Sequence, residues 1–149
     1  MKNPKSIVMA ALVFWVAGAG LTGFCADYQT GVKVQVLKKA TAAANGQELA
    51  YPQVAKPEVT VALVEIPPGG ETGWHSHPFP VYAYVMAGAL TVAIGSGGEQ
   101  DFREGEAIIE VVNTPHNGRN RGTVPARLVV FYTGALEKPN TVTATPGKR

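Results

Sequence analysis

Between Glu58 and Tyr132 the chain is a succession of short apolar runs, Val59 to Ile66, Val81 to Met86, Leu90 to Ile94, Ala107 to Val112 and Ala126 to Tyr132. This pattern restricts the fold more than any other feature. The runs are rich in Val, Ile, Leu and Tyr, and β-branched or aromatic side chains pack well on a pleated surface. Between them lie Pro67-Pro68-Gly69-Gly70, Ala87-Gly88, Gly95-Ser96-Gly97-Gly98 and Asn117-Gly118, residues that turn a chain sharply. No long segment carries the apolar spacing of a helix. The 17 glycines and 11 prolines fit the same picture. Regular short strands at this spacing predict an all-β sandwich or barrel, and 149 residues suit a single domain.

The flanks read differently. Residues 1–25 have the form of a signal peptide: Lys2 and Lys5 are followed by an uncharged stretch from Ile7 to Phe24 that ends among small residues. Two cleavage points fit, after Ala19 and after Cys25, and the second is favoured, giving a mature chain from Ala26 in the periplasm or outside the cell. Left uncleaved, the stretch is just long enough to anchor in a membrane. Without Lys2 and Lys5 the remaining chain has 11 basic and 11 acidic residues. Such a balance offers no broad field to nucleic acid or to an anionic membrane. Cys25 is the one cysteine, so no internal disulfide can form. Residues 26–57 form a lead-in with one alternating strand at Val32, Val34 and Val36 and a turn at Asn45-Gly46. Residues 58–137 are the barrel, and the polar, proline-punctuated residues 138–149 read as a loose tail.

The chain has three histidines, His75, His77 and His116. In a strand, residues i and i+2 share a face, so His75 and His77 can offer two imidazoles to one point. His116 follows an apolar run and the turn-like Asn113-Thr114-Pro115, a placement that can bring it over the pair when the sheet closes. Imidazoles suit iron, manganese, nickel, copper and zinc, and spacing does not choose among them.

The neighbours of these histidines form two motifs. Gly69 is followed after five residues by His75-Ser76-His77, and Gly88 comes 11 positions after His77. Gly105 is followed 11 positions on by His116, and Asn120 stands four beyond that. In that order, with Thr91 to Glu104 between them as a hairpin, they resemble the two motifs of the cupin superfamily. The resemblance covers about half the chain and implies a double-stranded β-helix, a jelly-roll barrel, holding one divalent transition metal ion on His75, His77 and His116.

The departures also matter. Family members usually carry a glutamate, the fourth ligand, where this chain has Val81. Valine cannot ligate, so a site of three histidines with an extra open position is expected, without the carboxylate that often serves as general base. Tyr82 is adjacent but alternation turns it to the opposite face. Val111 and Asn113 replace the usual proline and glycine of the second motif. Arg119 and Arg121 read as a solvated strand face balanced by Glu104, Glu106 and Glu110, with a substrate-carboxylate clamp as the rarer role. Trp74, Phe79, Tyr82, Tyr84, Phe102, Phe131 and Tyr132 read as barrel core, with Trp74 able to line the mouth.

The resemblance thus implies a metal-binding protein with a small-molecule partner, either a dioxygenase-type oxidoreductase acting on a bidentate oxygen substrate or a non-catalytic periplasmic binding module. Pairing into homodimers is expected of such barrels. The fold does not decide between the two functions.

Overall fold

The computed structural model describes residues 30–145, so the export segment expected at 1–25 lies outside the described residues. The chain divides into two units, Met1–Val34 and Gln35–Arg149, and the architecture here is that of the second. No helix among the described residues is long and apolar enough to cross a membrane.

Among the described residues nine strands follow in order: β1 (Pro57–Ile66), β2 (His75–Ser76), β3 (Val81–Ala87), β4 (Ala89–Ile94), β5 (Glu99–Arg103), β6 (Ala107–Ile109), β7 (His116–Arg119), β8 (Ala126–Ala135) and β9 (Val142–Thr143). They build two antiparallel sheets, one ordered β1-β8-β3-β6 and the other β5-β4-β7-β2-β9. This is the expected all-β, double-stranded β-helix architecture.

Alternation explains the core. Ala126, Leu128 and Val130 of β8 and Val81, Ala83 and Val85 of β3 are buried, and they meet Leu90, Val92, Ile94 and Phe102 of the other sheet. Each fully buried Val, Leu or Phe contributes about 1.5–3 kcal/mol of transfer free energy. The outer residues of edge strand β1, Val59, Val61 and Leu63, are exposed.

Two connections fix where the sheets meet. Gly88, between β3 and β4, has φ +73°, and a Cβ there would approach the Pro125 carbonyl oxygen to 2.6 Å. Only glycine fits that turn. After β6 the chain leaves the first sheet, with Val112 bridging His77 in parallel and the Asn113 N–H donating to the His77 carbonyl at 2.8 Å. Asn113 has φ 53°, in the left-handed region that Asn tolerates better than most residues, which accounts for its standing where glycine is usual.

Two expectations about the flanks are corrected. Residues 32–40 pair with nothing among the described residues, and Val32, Val34 and Val36 are exposed. The expected loose tail instead supplies β9, which pairs Thr143 with His75 and Val142 with Ser76, and the Ala144 N–H donates to the Trp74 carbonyl at 3.0 Å. A polar composition concealed this strand because it lies on a sheet edge, where backbone bonds need no apolar side chains.

Candidate metal centre

Period-two alternation turns His75 and His77 to one side, as expected. β2 is short, but it is gripped on both flanks, by β7 through the pair His75↔His116 and by β9. His116 is therefore brought in by strand register, directly across from His75. Ring centroids are 4.3 Å apart for His75 and His116, 4.9 Å for His75 and His77, and 5.0 Å for His77 and His116. His77 and His116 are buried, His75 partly so.

Each ring is oriented by its own backbone carbonyl. Nδ1 of His75 lies 2.8 Å from Gly73 O, Nδ1 of His77 2.8 Å from Asn140 O, and Nδ1 of His116 2.9 Å from Thr114 O. A carbonyl only accepts, so each Nδ1 carries its hydrogen and each Nε2 is left as the donor atom for a ligand, the arrangement found around metal-binding imidazoles.

A fourth group joins them. Glu110 Oε2 is 3.1 Å from Nε2 of both His77 and His116, and the donor atoms of His75, His77, Glu110 and His116 all lie within 4.8 Å of one another. Burial opposes ionisation of the Glu110 carboxyl, but the Nε2 atoms of His116 and His77 donate to it when they carry a proton, which outweighs burial and holds its pKa down to about 2. Burial also disfavours a charged His116, yet its hydrogen bond to Glu110 prevails and raises its pKa. Burial is the main cause lowering that of His75. An ionised carboxylate facing imidazole lone pairs needs either a proton on His116 or a cation among the donors. Three imidazole nitrogens and one carboxylate oxygen make a donor set that fits a divalent transition metal ion.

Glu110 corrects the expectation that no carboxylate is in reach. Extending the pairs Tyr82↔Ile109 and Ala83↔Ile108 by one residue sets Glu110 opposite Val81, and the Glu110 N–H donates to the Val81 carbonyl at 3.0 Å. Opposed residues of an antiparallel pair share a face. The carboxylate thus arrives from the strand neighbouring the usual position. A signal was present in the sequence: Glu110 is an acid inside an apolar run, in phase with the buried Ile108.

Other readings are settled by contacts. Arg119 pairs with Glu71 at 2.8 Å and Arg121 with Glu99 at 2.6 Å, on exposed surface. Neither lines the cavity beside the cluster, and their partners are Glu71 and Glu99 rather than Glu104, Glu106 and Glu110. Of the aromatic residues, Phe102 is in the buried core, Phe131 is exposed, and Tyr132 lines the cavity beside the cluster with its ring 5.7 Å from that of His77. Asn120, the last residue of the second motif, is structural: its buried amide donates to the carbonyls of Ile66 and Val124 at 2.9 and 2.8 Å, tying down the loop beneath β2.

Residues 62–132 match the cupin domain family. The tetracenomycin polyketide synthase protein TcmJ of Streptomyces glaucescens is 37% identical over 77 residues, 51% of this chain and 51% of that protein. Among solved structures, an oxalate oxidase is 30% identical with a TM-score of 0.50, over 58% of this chain and 46% of that chain. The DMSP lyase DddQ from Ruegeria pomeroyi DSS-3 is 21% identical with a TM-score of 0.52, over 61% of this chain and 45% of that chain, a likeness of fold alone. The matched region thus spans about half the length of each of these proteins.

Proposed function

Residues 62–132 form a cupin domain, and from that premise we propose that this protein is a metal-dependent oxidoreductase of the dioxygenase type acting on a small bidentate oxygen substrate. One divalent transition metal ion would be held by His75, His77, His116 and Glu110. The observation that carries the reading is the convergence of these four donors, each imidazole held by its own carbonyl, at one end of an apolar cavity. Bound there, the ion would act as a Lewis acid on a chelating oxygen pair. The residues of the chain do the rest. The carbonyls of Gly73, Asn140 and Thr114 fix the rings, Glu110 supplies one negative charge, and the aliphatic wall excludes water. The 30% identity to an oxalate oxidase supports the oxidoreductase class.

Glu110 gives the site a carboxylate that Val81 does not supply, which favours the catalytic reading over a non-catalytic binding module. The lysines and uncharged stretch of residues 1–25 support export to the periplasm or beyond. The exposed row of Val59, Val61 and Leu63 on edge strand β1 supports a homodimer, which light scattering tests.

The direct experiment is metal analysis of purified protein and of His116→Ala, followed by oxygen uptake against a panel of diketones, flavonols and thiols. About one ion per chain, lost in His116→Ala, with uptake on one of these classes, is the expected result. Full metal content in His116→Ala would remove the site, and metal without uptake on any class would leave a binding module.

A further inference from the structure

Glu110 stands where regular strand pairing ends. β6 is the last strand of its sheet, and beyond Ile109 the chain leaves the ladder. On the inner side the Glu110 N–H still donates to the Val81 carbonyl at 3.0 Å. Among the described residues no strand pairs with the outer side.

Residues 41–49 take that place. Ala42 bridges Glu48 in antiparallel fashion and the Leu49 N–H donates to the Thr41 carbonyl at 2.9 Å, so the segment is a small hairpin. Its tip is the Asn45-Gly46 turn, where Gly46 has φ +84° and the Asn45 side chain accepts from the Gln47 N–H at 3.0 Å. Buried Ala43 and partly buried Leu49 seat it on the core. The hairpin precedes residues 62–132, the part of the chain that matches the family.

Three hydrogen bonds join the hairpin to residues 109–112. The Ala44 N–H donates to the Ile109 carbonyl at 3.3 Å, Nε2 of Gln47 donates to the Val112 carbonyl at 3.2 Å, and the Val112 N–H donates to Oε1 of Gln47 at 2.8 Å. A primary amide presents a donor and an acceptor side by side, as the main chain of a neighbouring strand does. Gln47 thus stands in for a strand at the one residue where both main-chain groups need a partner. Gln100 of β5 steadies the hairpin in turn, its Nε2 donating to the Ala44 carbonyl at 2.8 Å.

The clamp acts close to the donors. Val112 bridges His77 in parallel, and Val111, between it and Glu110, is buried. Glu110 is therefore suspended between two ties, its own bond to Val81 and the grip of Gln47 two residues on. Its Oε2 meets two imidazole nitrogens at 3.1 Å, and a shift of about 1 Å would take both contacts past hydrogen-bonding distance.

We propose that Gln47 is a positioning residue for Glu110, and that the working unit of this protein accordingly begins with the hairpin, ahead of the family-matched domain. The consequence for metal affinity rests on the proposed metal site; the positioning of the carboxylate does not.

A double-mutant cycle separates action through Glu110 from general support of the barrel. Gln47→Met removes the amide at similar length, and because Gln47 is exposed the core stays intact. Zinc affinity is measured by competition with a chromophoric chelator in four proteins: wild type, Gln47→Met, Glu110→Gln and the double variant. Gln47→Met should weaken zinc about tenfold, in the range of partners that orient a ligand, and less than twofold once Glu110 has become Gln. An unaltered affinity in Gln47→Met would overturn the proposal, as would an equal loss in both backgrounds. Should the wild type take up no zinc, the metal reading fails, and urea unfolding of the same four metal-free proteins at pH 6 decides the positioning. There the fall in the unfolding constant caused by Glu110→Gln should be at least fivefold smaller in the Gln47→Met background, and an equal fall in both would overturn the proposal.

Discussion

Replacing Glu110 by Gln removes one charge at nearly constant shape, and the structure specifies both the size of the effect and its dependence on pH. In the metal-free protein a proton on His116 lets its Nε2 donate to the carboxylate, which keeps the Glu110 pKa at about 2 against an ordinary 4.5. That fall corresponds to about 3 kcal/mol of native-state stabilisation, within the range for breaking one side of a buried ion pair. Because the folded pKa is depressed, this contribution is present above about pH 4.5 and is lost as the pH falls through about 2. The His116 side has the opposite sign. Its pKa is raised above 6.5, so the pair is complete below pH 6.5 and fails as the pH climbs through the folded value. Above that, Glu110 faces neutral imidazole lone pairs, to which a Gln amide can donate. Chelator-treated wild type and Glu110→Gln are compared by urea unfolding at pH 6 and pH 9. At pH 6 the mutant should be less stable by about 3 kcal/mol, on the order of 10 °C in Tm for a domain of this size, and at pH 9 the difference should nearly vanish. An equal deficit at both pH values would mean that Glu110 is not held by a protonated histidine, and the electrostatic account of the cluster would fall.

Three further outcomes follow from the geometry. Because positions 81 and 110 face each other across a strand pair, Val81→Glu in the Glu110→Gln background should recover metal affinity by at least tenfold in competition with a chelator, while no recovery would show that Val81 does not face the donors. Ending the chain at Glu137 removes β9 and the Asn140 carbonyl that orients His77, and such an orienting partner is worth about 10–100-fold in metal affinity; the same chelator competition measures the loss, and an unchanged affinity would count against this role. Gly88→Ala forces a Cβ toward the Pro125 carbonyl in a left-handed turn and should cost at least about 2 kcal/mol in urea unfolding, whereas a cost under about 0.5 kcal/mol would show that the turn has room.

Features written as side-chain pattern were legible in the sequence, whereas features supplied by backbone or by register were not. The apolar runs Ala126 to Tyr132 and Val81 to Met86, bounded by turn residues, marked strands β8 and β3. The histidines stood out because the chain contains no others. Glu110 was misread because acids near a strand end are usually solvated, and only the pairing of β6 with β3 carries it inward. β9 and the carbonyl of Asn140 escaped notice because main-chain groups have no letter of their own. The strand expected at Val32, Val34 and Val36 shows the reverse failure, a strand-like pattern for which the described residues provide no pairing partner.

The four donors do not belong to one sheet. His75 and His116 are on strands of the five-stranded sheet, whereas Glu110 follows β6 and is bonded to β3 of the four-stranded one. An ion gripping all four would be a cross-link, joining chain segments that in the unfolded state wander apart. With a single cysteine the protein has no covalent way to do this. By the loop-entropy relation used for disulfides, one tie across the stretch from His77 to Glu110 would restrict the unfolded chain by on the order of 3–4 kcal/mol. Such a staple would be indifferent to reductants but would open to acid and to chelators, so the durability of this barrel would follow the metal supply of its surroundings and not their redox state.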